Sequence, residues 1–215
     1  MLFRSKRGVA IATGYLGHLT ALRGDYEKAS KMLTESLAPL QELGDDVTIA
    51  LMYNFLGQIP LSQGDNDGAA RLLTQAVDAA RLVPDRLPLL TSLYDLALSS
   101  QARGDLDGAT GLLREGLSVA SDAGDESSVG YYLQRLAAVA RQREDLERAV
   151  RLLAAADALL QAAGTGWLLA YVAASSEDDA LPELRSRMGE SPFQQAWAQG
   201  AAMQRQPAVA YALRD

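Results

Sequence analysis

A chain of 215 residues, 48% hydrophobic but only 6% aromatic, suits closely packed helices and is long enough for one domain or one short repeat array. Its formal net charge of −7 repels phosphate, which argues against direct nucleic-acid contact and against an anionic membrane surface as partner. With no cysteine and one histidine, it has no disulfide framework, no thiol nucleophile and no paired-histidine motif.

Residues 1–7 are basic but lead into no long apolar core, so they do not read as a signal peptide. The first helix enters at Ser5 and stops at Gly24-Asp25, and its partner stops at Gly44-Asp45. The second pair breaks at Gly64-Asp65 and ends at Pro84-Asp85; the third breaks at Gly104-Asp105 and ends at Gly124-Asp125. The fourth breaks at Glu144-Asp145, where glycine is replaced, and ends at Gly164-Thr165. The breaks recur every 40 residues (64 − 24, 104 − 64), with a second series at the half period. Glycine just past a helix can take the left-handed conformation that ends it, and the next aspartate or threonine caps the following helix. Pro39 and Pro60 fall inside predicted helices, each removing a backbone donor, and a kink is expected at Pro60.

The interiors repeat on the same period. Leu16, Leu56, Leu96 and Leu136 share a register, followed by Gly17, Gly57, Ala97 and Ala137. In the second helices, Ala29, Ala69, Ala109 and Ala149 are followed by Leu33, Leu73, Leu113 and Leu153, then by the small residues Ser36, Ala76, Gly116 and Ala156. Such spacing predicts one buried stripe per helix and no strand.

After Gly164 the rhythm ends. The apolar run 167–174 is too short to span a bilayer, and 175–179 reads as an acidic turn and helix start. A short helix is predicted over 180–188, and a second over 193–203, opened by Ser191-Pro192. A last one is predicted over 207–213. Phe193 and Trp197 share a face and are expected to seal the end of the array.

The leucine-glycine pair, the Gly-Asp turn and the alanine–large–small run resemble the tetratricopeptide signature over four copies, roughly 8–164. The resemblance implies an all-α, right-handed superhelical solenoid of antiparallel helix pairs. Its four repeats would span about 5–44, 45–84, 85–124 and 125–164 (domain 1–164), with capping helices over 165–215. The unit is longer than the usual 34 residues. The aromatic expected late in the first helix is replaced by Thr20, Pro60, Ser100 and Ala140. The 40-residue unit further resembles the helical arrays of the large bacterial MalT-like and LuxR-type regulators. The stretches 147–156, Met188-Gly189-Glu190 with Phe193, Ala196-Trp197 with Gly200, and 208–213 resemble the C-terminal ends of bacterial ATPase-type transcriptional regulators. That likeness implies a cytoplasmic sensor or scaffold region whose ATPase and DNA-binding domains lie outside these residues; the other reading is a free-standing adaptor.

No phosphate-binding loop of the GxxxxGK[ST] type, GxSxG elbow or HExxH motif is present, so no catalytic, cofactor or metal role is assigned. The carboxylate pairs Asp45-Asp46 and Asp178-Asp179 read as helix-boundary caps. His18 reads as a structural histidine, with ligand contact as the alternative. Carrying the tetratricopeptide binding register over places Gly14, His18 and Ala21 on the concave face, with Asn54, Gln58 and Leu61 after them. Tyr94, Leu98 and Gln101 follow, then Tyr131, Gln134, Ala138 and Arg141. Of these, His18, Asn54, Gln58, Tyr94, Gln101, Tyr131, Gln134 and Arg141 are the candidate partner-binding residues. This set carries little charge and lacks the basic cluster that clamps a peptide carboxylate. A neutral peptide, a neighbouring domain or a small effector is the expected partner. Tyr94 and Tyr131 are expected to be partly accessible.

Overall fold

Turns in this chain are made by a glycine and an aspartate working together. The computed structural model describes residues 2–164 and 180–214; the apolar run 167–174, the acidic segment 175–179 and Thr165 lie outside them. Eight long helices follow the breaker grid: α1 (Leu2–Leu22), α2 (Tyr26–Glu42), α3 (Asp46–Ser62), α4 (Asn66–Arg81), α5 (Leu87–Ala102), α6 (Leu106–Ala123), α7 (Glu126–Gln142) and α8 (Leu146–Ala162). Three shorter ones close the chain: α9 (Ala180–Met188), α10 (Glu190–Ala201) and α11 (Arg205–Leu213). There is no strand among the described residues.

Gly24, Gly44, Gly64, Gly104, Gly124 and Gly164 all have positive φ, between 64° and 85°. That conformation turns the next N–H back onto the finished helix. The aspartate N–H reaches five residues back, for example Asp65 to Pro60 O at 2.9 Å and Asp145 to Ala140 O at 3.0 Å. Its side chain meanwhile accepts from the opening turn of the next helix: Asp65 from Gly68 N at 2.8 Å, Asp125 from Ser128 N at 3.0 Å. One residue therefore satisfies orphan groups of two helices. Glu144 holds the left-handed position without glycine, at φ 65°. Pro84 cannot reach it, and there the pattern changes: α5 starts from Arg86 without a side-chain cap, and Asp85 accepts from Leu87 N at 2.9 Å. Both α2 and α3 continue past their prolines, to Glu42 and Ser62.

Two compact units divide the chain, Met1–Ala109 and Thr110–Asp215. In the first, α1 and α2 run antiparallel: Gly14 faces Ser36 while Gly17 faces Leu33 and Ala29, the paired numbers moving in opposite directions. The α3–α4 pair repeats this with Gly57 against Leu73. Ala29, Leu33, Leu40, Ile49, Met52 and Ile59 form one core cluster between α1, α2 and α3. Ala69 and Ala109 are fully buried, as their register requires. Leu16 departs from its register: Leu96 and Leu136 are buried and Leu56 is half-buried, but Leu16 is exposed, because no helix among the described residues covers it.

In the second unit, Gly130 meets Leu160 where α7 crosses α8, and Gly116 on α6 receives the buried ring of Tyr132. The C-terminal helices cover α8. Leu184, Phe193 and Ala196 pack with Ala140, Ala149 and Val150, and the Phe193 and Trp197 rings lie stacked at 5.9 Å. Gly200 lets α10 pass against the Arg151 carbonyl. Arg148 donates to Ala212 O at 2.9 Å and Arg214 O at 2.8 Å, holding the carbonyl end of α11. Three starts differ from the sequence reading: α1 opens at Leu2 and not at Ser5, and two of the C-terminal helices shift as well. α10 opens at Glu190 after Gly189 (φ 81°), so Ser191 and Pro192 sit inside its first turn, where a missing N–H has no cost. α11 opens at Arg205, not at Pro207.

Candidate binding face

The first helices α1, α3 and α5 touch one another in order, which brings their equivalent positions onto a shared face of the first unit. On α1 and α3 the face is aromatic. The His18 ring stacks on Phe55 with centroids 4.0 Å apart and planes 15° from parallel, and Tyr15 meets Phe55 edge-on at 5.7 Å. Half-buried against that ring, the imidazole is desolvated, which pushes its pKa below the ordinary 6.5 and leaves it neutral at pH 7.

Between α3 and α5 the face is polar. The Asn54 amide donates to Asp95 Oδ2 at 2.9 Å, and Gln58 Nε2 donates to the same oxygen at 2.8 Å and to Asn54 Oδ1 at 3.1 Å. Asn54 is fully buried, so it supports the face from behind and is not itself a surface contact. Gln58, Tyr94, Leu98 and Gln101 are half-buried. Gly14 is likewise not on the surface, since it is closed over by Met52 and Ser36. Two of the ledge-forming residues, Tyr15 and Phe55, and the carboxylate Asp95 were not among the sequence candidates. Asp95 could have been found: it is the one charged residue within α5.

In the second unit, Tyr131 and Gln134 on α7 are half-buried. Arg141 is committed: its Nη1 donates to Glu183 Oε2 on α9 at 2.8 Å. Arg187 bonds the other Glu183 oxygen at 3.0 Å and also pairs with Glu144. The Arg187 hydrogen bond, with the nearby arginine charges, holds the Glu183 carboxyl below its ordinary value. Arg141 therefore anchors α9 and is not a cation offered to a partner.

At the entry to α3, Arg7 Nε donates to Asp45 Oδ2 at 2.8 Å. Burial opposes the Asp45 charge, but the hydrogen bonds from Arg7 and Thr48 outweigh it and hold the carboxyl below its ordinary value. An open cleft of about 430 Å³ lies away from this face, lined by Ser30 of α2, Ile59 and Pro60 of α3, and Arg71 and Leu72 of α4. Among the described residues, no group of three or more His, Cys, Asp or Glu side chains could hold a metal ion. None of the described helices is long and apolar enough to cross a membrane.

No curated protein matches the chain. Residues 8–82 match the family model described as Tetratricopeptide repeat. The helix pairs α1–α2 and α3–α4 are thus similar to tetratricopeptide repeats, in a chain whose described residues are all-α and arranged as successive helix pairs.

Proposed function

We propose that this chain is a non-catalytic interaction module that takes a peptide, or a helix of a neighbouring domain, on the first-helix face of α1, α3 and α5. Tetratricopeptide repeats indicate a protein-interaction module, and residues 8–82 carry that likeness. The observation that carries the placement is the juxtaposition on one face of an aromatic ledge (Tyr15, His18, Phe55) and an amide–carboxylate cluster (Asn54, Gln58, Asp95). An aromatic ledge offers apolar area at low rotamer cost. The Gln58 amide, fixed beside it by Asn54 and Asp95, suits the donors and acceptors of a polypeptide backbone. Tyr94 and Gln101 belong to the same register and extend the proposed surface along α5, and Tyr131 and Gln134 hold the equivalent positions on α7 of the second unit.

Selection of a random peptide library against the full chain tests this. Peptides recovered should lose at least about tenfold in affinity, roughly 1.4 kcal/mol, on Tyr15→Ala, His18→Ala or Tyr94→Ala. Arg71→Ala, on α4, should leave the affinity within about twofold. Peptides indifferent to the first three and sensitive to the last would overturn the assignment.

The finer reading is that the module is the C-terminal sensor or scaffold region of a bacterial transcriptional regulator. It rests on the 40-residue unit and on the stretches 147–156, 188–200 and 208–213 quoted above. Reading the adjoining coding sequence tests it. A phosphate-binding NTPase loop in the same frame upstream supports it, and start and stop codons closely flanking these residues contradict it.

A further inference from the structure

The face of α1 that points away from α2 is apolar and open. Val9, Ala12, Leu16 and Leu19 recur at the spacing of one helical stripe, and Val9, Leu16 and Leu19 are 65%, 54% and 53% exposed. Moving each position forward by the repeat shows what this stripe is. Val9 becomes Ile49, Leu89 and Val129, which are 9%, 5% and 0% exposed. Leu19 becomes Ile59, Ser99 and Val139, at 7%, 0% and 2%. Leu16 becomes Leu56, which is half-buried, and then Leu96 and Leu136, at 9% and 5%.

In α3 these positions are buried or half-buried because α2 lies over them: Ile49, Met52 and Ile59 share a cluster with Leu33 and Leu40. In α5 they lie on α4, where Ser99 Oγ donates to Asn66 O at 2.7 Å. The stripe on α1 therefore has the composition and register of an interface that the fold completes at α3 and α5. Three large side chains in line on an open face also exceed the scattered exposure ordinary on a protein surface.

We infer that the outward face of α1 is a stacking surface for one further helix hairpin of this same 40-residue kind. The occupant's second helix would lay an alanine–leucine stripe, like that of α2 and α4, across Val9, Leu16 and Leu19. A second copy of this chain stacked head to tail does not fit, because its α8 is already covered by Leu184, Phe193 and Ala196. The stripe borders the His18 ledge where Tyr15 and Leu19 stand one turn apart, but it shares no residue with the ledge, so the inference does not rest on the peptide-binding proposal.

The test is a fusion in which residues 45–84 are duplicated ahead of residue 5, keeping the repeat spacing, and compared with the full chain. Amides of α1 should exchange at least about tenfold more slowly in the fusion. Leu16→Glu with Leu19→Glu should shift the Tm of the unfused chain by less than about 2 °C, because both residues are exposed there. The same pair should lower the Tm of the fusion by about 5 °C or more. Equal α1 exchange in both proteins, with the glutamates equally harmless in both, would overturn the inference. So would a dimer of the unfused chain at micromolar concentration that the two glutamates dissociate, which would make a second copy the occupant.

Discussion

Adding one methyl group at Gly57 measures how closely the two helices of a pair approach. Within a helix, Gly→Ala is worth about 1 kcal/mol of stabilisation where the methyl meets nothing. Gly111, exposed on α6 with nothing within 4 Å of a built Cβ, should show that gain in full. At Gly57 the same Cβ would lie 2.6 Å from Leu73 Cγ, 2.7 Å from its Cδ2 and 3.2 Å from its backbone N. Leu73 is fully buried, so it has no solvent into which to turn. Overpacking of this kind costs roughly 1–3 kcal/mol, so Gly57→Ala should range from neutral to about 2 kcal/mol destabilising after the propensity gain. Gly17 is the intermediate case, its nearest approaches being 3.0 Å to Leu33 Cγ and 3.2 Å to the Ala29 carbonyl. Urea unfolding followed by helical circular dichroism, compared at constant m-value, gives the order 111 above 17 above 57. If Gly57→Ala stabilises as much as Gly111→Ala, the helices do not pack at this distance and the pairing register is wrong.

Three other outcomes follow from single residues. Glu144→Gly should stabilise by about 1 kcal/mol by relieving a left-handed backbone at φ 65°, whereas Glu144→Ala, which keeps that backbone and loses the Arg187 pair, should not; thermal melts separate them. Lowering the pH should destabilise the chain through His18: with its pKa depressed by burial, the unfolded state binds the proton first, so the contribution is complete above about 6.5 and declines as the pH falls through it. His18→Gln should flatten stability against pH between about 7.5 and 5, and an unchanged slope would contradict the half-buried, neutral imidazole. Gly200→Ala should release α10, because the added carbon meets the Arg151 backbone carbonyl and the Ala154 methyl; Trp197 fluorescence should shift to the red, and an unshifted spectrum would place α10 farther from α8.

The helix boundaries were legible because their causes are local. A left-handed glycine and the aspartate that follows it act on groups five residues back and three residues forward, and the same pair recurs on a fixed period. Where the chemistry was locally ambiguous the reading slipped: Ser191-Pro192 is a strong start signal, yet Gly189 ends one helix and opens the next. Burial was legible only where it repeats. Leu16 has the register of a core residue, but a core position needs a neighbour, and a pattern of spacings does not say which repeat lacks one. For the proposed face, the sequence named a register of positions but not the pairings among them. Asn54 and Gln58 share Asp95 across 41 and 37 residues, and Arg141 is claimed by Glu183 across 42. Such pairings depend on which helices become neighbours. Tyr15 and Phe55 escaped because the binding register passes beside them.

The central claim is that the first-helix face is where a partner sits. Hydrogen exchange of the full chain, with and without a peptide selected against it, tests this most directly. The account predicts new protection in α1, α3 and α5, around Tyr15, Phe55 and Asp95, with α2 and α4 unchanged. Protection confined to α2 and α4, or to α9 through α11, would contradict it.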